Sequence, residues 1–352
     1  MEYSFDKNEL KSKLKESKRL YKNGIITQNE YNILMRQIKM LLGHVKKEKS
    51  SFPSLKEKLT KINNMLVYYD QMLTDDSVTT LETLVDNVLD DEIPKPKEIS
   101  YPVGNEELLK LVLDLYKEVS SDDSDFLSEL ANNGKLEISL PKYSFDMTSI
   151  TQLLYYNDFY IRIVRSNTVY DACSIAHEFR HILDRKNTTK IEGNVLSEIN
   201  PIFMELYFNS KLYKENNTFG EAIIDRLYDN YKMASNINAF LALLNCRYNI
   251  APATDDIIYE CFNCSNELEL LDIIDDLSSG LFCLNFDYFI GTIGAINIYY
   301  KALDNIYDAL KIVNKIAYNI SSPIELDDVL KYLGSDSVEQ YHNFVNTYVK
   351  KK

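Results

Sequence analysis

Apolar residues recur at three- and four-residue intervals along most of this chain, the spacing of one helical face, and only short runs alternate as strands do. The first such stretch, residues 12–42, breaks at Asn23-Gly24. Leu14, Leu20 and Tyr21 precede the break and Tyr31, Leu34, Ile38 and Leu41 follow it, so a hairpin of two helices is expected. Thr27, with Glu30 three residues later, fits a capping box for the second helix. A basic polar stretch at 44–54 reads as a linker, and helical periodicity resumes over 55–92. DDEIPKPKEISYP (90–102) then crowds three prolines together. That cluster sets the expected boundary between an N-terminal helical region, 1–95, and a main domain, 96–352.

Past Asn105 the pattern is helical until Lys135, where LEISL (136–140) alternates between Asn132-Asn133-Gly134 and Pro141. FYIRIV (159–164) is a second β-rich run. VYDACSIAHEFRHIL follows at once as a helix, with Asn167 or Thr168 as its cap and Val169, Ala172, Ile175, Ala176 and Ile182 as its buried stripe. From 191 to 349 the text is almost wholly helical. The most apolar stretch, 281–300, is long enough for a membrane span, but Asn285, Asp287 and Asn297 interrupt it and basic flanks are missing. A buried core helix is expected there. The fold class predicted is mainly α, with a small β-element next to the helix of residues 169–183.

Composition narrows the partners. The net charge of −14 excludes non-specific attraction to nucleic acid or to an anionic membrane, and suits a neutral or basic substrate. The opening MEYSFDKNEL lacks a basic segment followed by an apolar one, so a cytoplasmic protein is expected. Five scattered cysteines fit a reducing compartment. Cys261 and Cys264 form a lone CxxC with no second pair at finger spacing, and read as buried thiols.

The chemistry concentrates in IAHEFRHILD (175–184). His177 and His181 stand at i and i+4, so on a helix both imidazoles project from one face and can reach one tetrahedral ion. Glu178 lies on an adjacent side, where it can take a proton from water and pass it to a leaving amine. Glu198, 17 residues after His181, is the expected third ligand. Glu205, seven residues further, lies on the same helical face and is placed to accept a hydrogen bond from a ligand histidine. Glu192, beside Gly193, competes as ligand. One Zn2+ ion with three protein ligands leaves a coordination position open, which points to catalysis rather than to a structural site.

HEFRH together with EINPIFME resembles the metal-site helices of the M3 zinc peptidases, the oligoendopeptidase F and thimet oligopeptidase group. The order of strand, metal helix and second glutamate helix is similar to theirs, and so is the segment 321–349. The resemblance implies a helical catalytic bowl that admits short peptides, and a strand, FYIRIV, that pairs with the substrate backbone. Three positions depart from the family pattern. Arg180 stands where the family has glycine, with Asp184 as an acidic neighbour for it. Pro201 follows Glu198 closely, where it is tolerated if Ser197 caps the helix. The segment 285–300 has no histidine to stabilise an oxyanion, which leaves the hydroxyl of Tyr288, with Tyr299 and Tyr300 as alternatives. His342 is placed outside the chemistry. The function expected is a zinc-dependent endopeptidase for short peptides; the alternative is a zinc-binding, catalytically weakened peptide-binding protein of the same descent. The N-terminal hairpin resembles a short hairpin appended to many bacterial proteins. Two readings of it stay open, association into a homo-oligomer and packing on the main body.

Overall fold

The computed structural model describes residues 5–42, 53–141, 150–155, 158–186, 196–249, 252–319 and 336–350. Glu192, Gly193, most of the linker at 44–54 and residues 320–335 of the closing segment lie outside them. The chain divides into two compact units, one formed by 1–50, 98–191 and 207–219, the other by 51–97, 192–206 and 220–352. One join, between 97 and 98, falls next to the proline cluster. Each unit nonetheless recruits segments distant in sequence.

In the first unit, α1 (Lys7–Lys22) and α2 (Gln28–Leu41) form the expected hairpin. The Asp6 carboxylate accepts the N–H groups of Asn8 and Glu9 at the start of α1, and Gly24 takes φ +68° in the turn, a conformation L side chains resist. The apolar side of the hairpin is packed: Phe5, Leu10, Ile38 and Leu41 form one buried cluster with Tyr160. Lys135 ties the same place together, donating to Glu9 Oε1 at 2.6 Å and to the Tyr160 hydroxyl at 2.8 Å. Helices α5 (Asn105–Val119) and α6 (Ser121–Asn132) lead into a sheet of β1 (Leu136–Ser139), β2 (Ile150–Tyr155) and β3 (Asp158–Val164), in the order β1-β3-β2.

Strand β1 runs parallel to β3, with Leu136 opposite Ile161, and β2 runs antiparallel to it, with Thr151 opposite Ile161. Strand β2 was not anticipated. Its presence bears on one expectation: FYIRIV is the central strand, paired with β1 over Ile161–Val164 and with β2 over Asp158–Arg162, so a substrate strand does not find it as a free sheet edge. Among the described residues the free edges belong to β1 and β2.

The second unit is helical. It holds α3 (Leu55–Met72), α4 (Asp75–Leu89), the 30-residue α9 (Gly220–Asn249), α10 (Asp255–Cys261), α11 (Glu267–Ser279), α12 (Cys283–Asp304), α13 (Ile306–Asn319) and α14 (Asp336–Tyr348). Helix α9 packs on α4, α10, α12 and α14, and α12 packs on α13 and α14. Tyr69, Phe240, Phe282 and Phe286 stack or meet edge-on around their junction, with Tyr69 and Phe240 centroids 5.3 Å apart. The core helix expected over 281–300 is α12, with Ile290, Ile293 and Ile296 buried. No single helix among the described residues is long and apolar enough to cross a membrane. Of the cysteines, Cys173 and Cys264 are buried and Cys246 is exposed.

Candidate metal centre

The helix α7 (Tyr170–Arg185) leaves β3 through a connection held by its own first turn. Asp171 is buried there and reaches back: its carboxylate accepts the Ser166 N–H at 2.7 Å, the Asn167 N–H at 3.0 Å and Arg165 Nε at 3.0 Å. Asn167 sits at φ +59° inside this loop, and the cap position falls to Val169, without a side-chain cap. Neither Asn167 nor Thr168 therefore caps α7 as expected, although Thr168 Oγ1 accepts the Tyr170 N–H at 3.4 Å. The stripe Val169, Ala172, Ile175, Ala176 and Ile182 is buried, and the Tyr116 hydroxyl from α5 donates to the Ala176 carbonyl at 2.8 Å.

On another face, His177 and His181 turn their rings together, with Nε2 atoms 3.2 Å apart and ring centroids 4.8 Å apart. His177 and Glu178 are buried and His181 is half-buried. Arg180 is spent within α7. Its guanidinium is buried against Asp184, with Nε 2.7 Å from Oδ1, so it adds no free charge where the family has glycine.

Helix α8 (Ile199–Glu215) starts immediately after Glu198, whose carbonyl accepts the Ile202 N–H at 3.0 Å. Pro201 thus falls in the first turn, where backbone N–H groups have no helical acceptor, and breaks nothing. Glu198 precedes the helix rather than sharing its face with Glu205. One ligand atom from each of His177, His181 and Glu198 lies within 4.8 Å of the others. Ligand nitrogens about 2.0 Å from a tetrahedral ion stand roughly 3.3 Å apart, close to the spacing of the two Nε2 atoms. Two imidazoles and one carboxylate are also the donor chemistry of a catalytic zinc site, so these residues fit the ion. Among the described residues no other such group is found, and the CxxC is not gathered into one.

Glycines on α12 hold the start of α8. A Cβ at Gly291 would lie 2.9 Å from Glu198 Cβ and from Ile202 Cδ1, and one at Gly294 would lie 3.0 Å from Ile199 Cδ1. One turn before Gly291 is Asp287, whose carboxyl is pushed up to about 7 by burial and then by the charge of Glu198. Tyr288 lies beside it, and the Arg226 guanidinium stands 5.6 Å above its ring. Arg226 also holds buried Glu205 with two bonds, Nε to Oε1 at 3.0 Å and Nη2 to Oε2 at 2.9 Å. Of the two alternative tyrosines, Tyr299 is buried with its hydroxyl 2.7 Å from that of Tyr348, and burial lifts Tyr300 to about 12. His342 on α14 faces Asp91 at 2.7 Å and Asn87 at 3.2 Å.

Arg226 and Gly291 were not singled out from sequence, and Asp287 only as an interruption of the apolar run 281–300. Arg226 follows Glu205 by 21 residues on another helix, so no local spacing marks the pair. The one legible signal was Gly291-x-x-Gly294, two small residues on one face of an apolar helix.

No family model matches the sequence, and no curated protein matches it. Solved structures do match in fold. One is named as an oligoendopeptidase F from Bacillus anthracis str. Ames, with TM-score 0.54 and 13% identity over 90% of this chain and 59% of that one. A peptidase from Chlamydophila abortus follows, with TM-score 0.52 and 14% identity over 90% of this chain and 59% of that one. PZ peptidase A, solved with an inhibitor, gives TM-score 0.51 and 13% identity over 90% of this chain and 61% of that one. The chain spans about three fifths of the length of each. At these identities the likeness carries the fold, which is mainly helical and is that of the group the sequence resembles.

Proposed function

We propose that the protein is a zinc-dependent endopeptidase acting on short peptides. The observation that carries this is the convergence of the two histidine Nε2 atoms, 3.2 Å apart, with Glu178 in the same helical turn and Glu198 beside them. When bound, zinc supplies Lewis-acid polarisation of the scissile carbonyl and lowers the pKa of water. His177, His181 and Glu198 would hold it. Glu178 takes the proton of the attacking water as the new C–O bond forms, and delivers it to the amine as the C–N bond breaks. The Tyr288 hydroxyl donates to the oxygen that gains charge, and Arg226 holds the ring that carries it. Each Glu205 oxygen keeps a lone pair beyond its bond to Arg226, which the role of orienting a ligand histidine requires.

The fold likeness to peptidases supports this reading. The test is cleavage of a pool of quenched fluorescent peptides by the zinc-replete protein and by Glu178→Gln. Wild type should cut, and the variant should keep its zinc while losing at least about 100-fold in rate. Folded, zinc-loaded wild type that cuts nothing would replace this reading by the weakened peptide-binding protein.

A further inference from the structure

Asp287, four residues before Gly291, is a carboxylate of this region with no protein partner. It is half-buried, and it makes no hydrogen bond or ion pair among the described residues. Within the same unit Glu205 is matched by Arg226, and Asp91 by His342 and Lys350, whereas half-buried Asp225 shares the lack of a hydrogen-bond partner. Withdrawing a carboxylate from water without a compensating cation is unfavourable, and such a group signals a site where compensation arrives from outside.

Its place says what arrives. Asp287 is four residues before Gly291 on α12, so both lie on one helical face. That face presses on the candidate ligand Glu198, so closely that a Cβ at Gly291 would lie 2.9 Å from Glu198 Cβ. The fields of Asp287 and Glu198 reach each other, and that of Asp287 reaches Tyr69. Arg226, the nearby cation, is committed to Glu205. Asp287 is also not part of the group that can share an ion with the histidines. It is a carboxylate adjoining the reaction centre and open to a cation that the chain itself does not provide.

We propose that Asp287 is a specificity-determining residue that receives a cationic group of the bound peptide. The role rests on the peptidase reading for its substrate class. The cation is an ammonium or guanidinium, carried either on a lysine or arginine side chain or at a free amino terminus. A charge-assisted bond in a partly desolvated position favours such a peptide over its neutral counterpart by about ten-fold. The net charge of −14 draws the same class of ligand toward the molecule.

The test separates binding from turnover. Zinc-loaded Glu178→Gln protein is titrated with fluorescent octapeptides in which a single lysine, or norleucine in its place, is walked along the sequence, each with a free or an acetylated amino terminus. At one position, or at the amino terminus, the cationic peptide should bind about ten-fold tighter than its neutral counterpart. Asp287→Asn should bring that ratio close to one, and Asp287→Glu should keep it. Loss of preference on acetylation assigns the terminus, and loss on lysine replacement assigns a side chain. Equal binding of charged and neutral peptides, a preference that survives Asp287→Asn, or no peptide binding at all overturns the proposal. A protein that cuts the peptide pool yet shows equal binding loses this role for Asp287 and keeps the peptidase reading. One that shows the preference without cutting does the reverse.

Discussion

Around Arg226 two carboxylates meet different fates, set by which of them the guanidinium reaches. Glu205 takes both of its bonds, and the neighbouring Asp225 takes none. Burial, and then the charge of Asp229, push Asp225 from its ordinary 3.8 up to about 6, against a smaller pull from Arg226. The folded state therefore holds this proton more tightly than the unfolded state does. Its contribution to stability is present below about pH 4 and is lost as pH rises through about 6. In urea unfolding across that range, Asp225→Asn should track wild type at the acid end and become the more stable protein above pH 6. Parallel curves would show that Asp225 titrates normally. The same residues mark the limit of reading chemistry from sequence. His177, Glu178 and His181 were legible because i, i+4 spacing is a local rule of helices. Arg226 and Asp287 were not, because the residues near them, Glu205 and Glu198, lie at separations that no periodicity encodes.

Among the elements, α12 governs where Glu198 stands. The two glycine positions give a matched comparison. Alanine at 294 meets only the side chain of Ile199, whereas alanine at 291 meets Glu198 itself, its backbone carbon included at 3.2 Å. Each added methyl should destabilise by about 1–3 kcal/mol, the ordinary result of overpacking. Only Gly291→Ala should also weaken zinc affinity, by ten-fold or more, in a chelator competition. Equal affinities in the two variants would detach Gly291 from the ligand. Element types were readable where one face is apolar, as in α1, α2 and α7, or where the run is apolar throughout, as in α12. Strand β2 was not, since ITQLLY gives no clean alternation. The start of α8 was also displaced: EINPIFME reads as continuous helix, but the chain enters the helix only after Glu198.

For the molecule as a whole, the assembly of each compact unit from separated segments was not legible in the sequence, because contacts between distant segments leave no local trace. The second unit shows how such segments are fastened. Buried Asp91, just beyond α4, accepts from His342 on α14 at 2.7 Å and from Lys350 at 2.9 Å. Asp91→Ala should lower unfolding stability by about 1–3 kcal/mol, the scale of a hydrogen-bonded charge. Lys350→Met should cost less than about 1 kcal/mol, because the lysine end is exposed. Urea midpoints of the two variants measure both, and the reverse order would show that α14 is held chiefly by its apolar face.

The crossing at Gly291 has a consequence for how this lineage changes with time. The position of Glu198 depends on an atom that is absent, so drift can unmake the site without touching a ligand. A descendant that kept His177, Glu178, His181 and Glu198 but acquired one methyl group at 291 would still carry every residue of the motif and would hold an ion there less tightly.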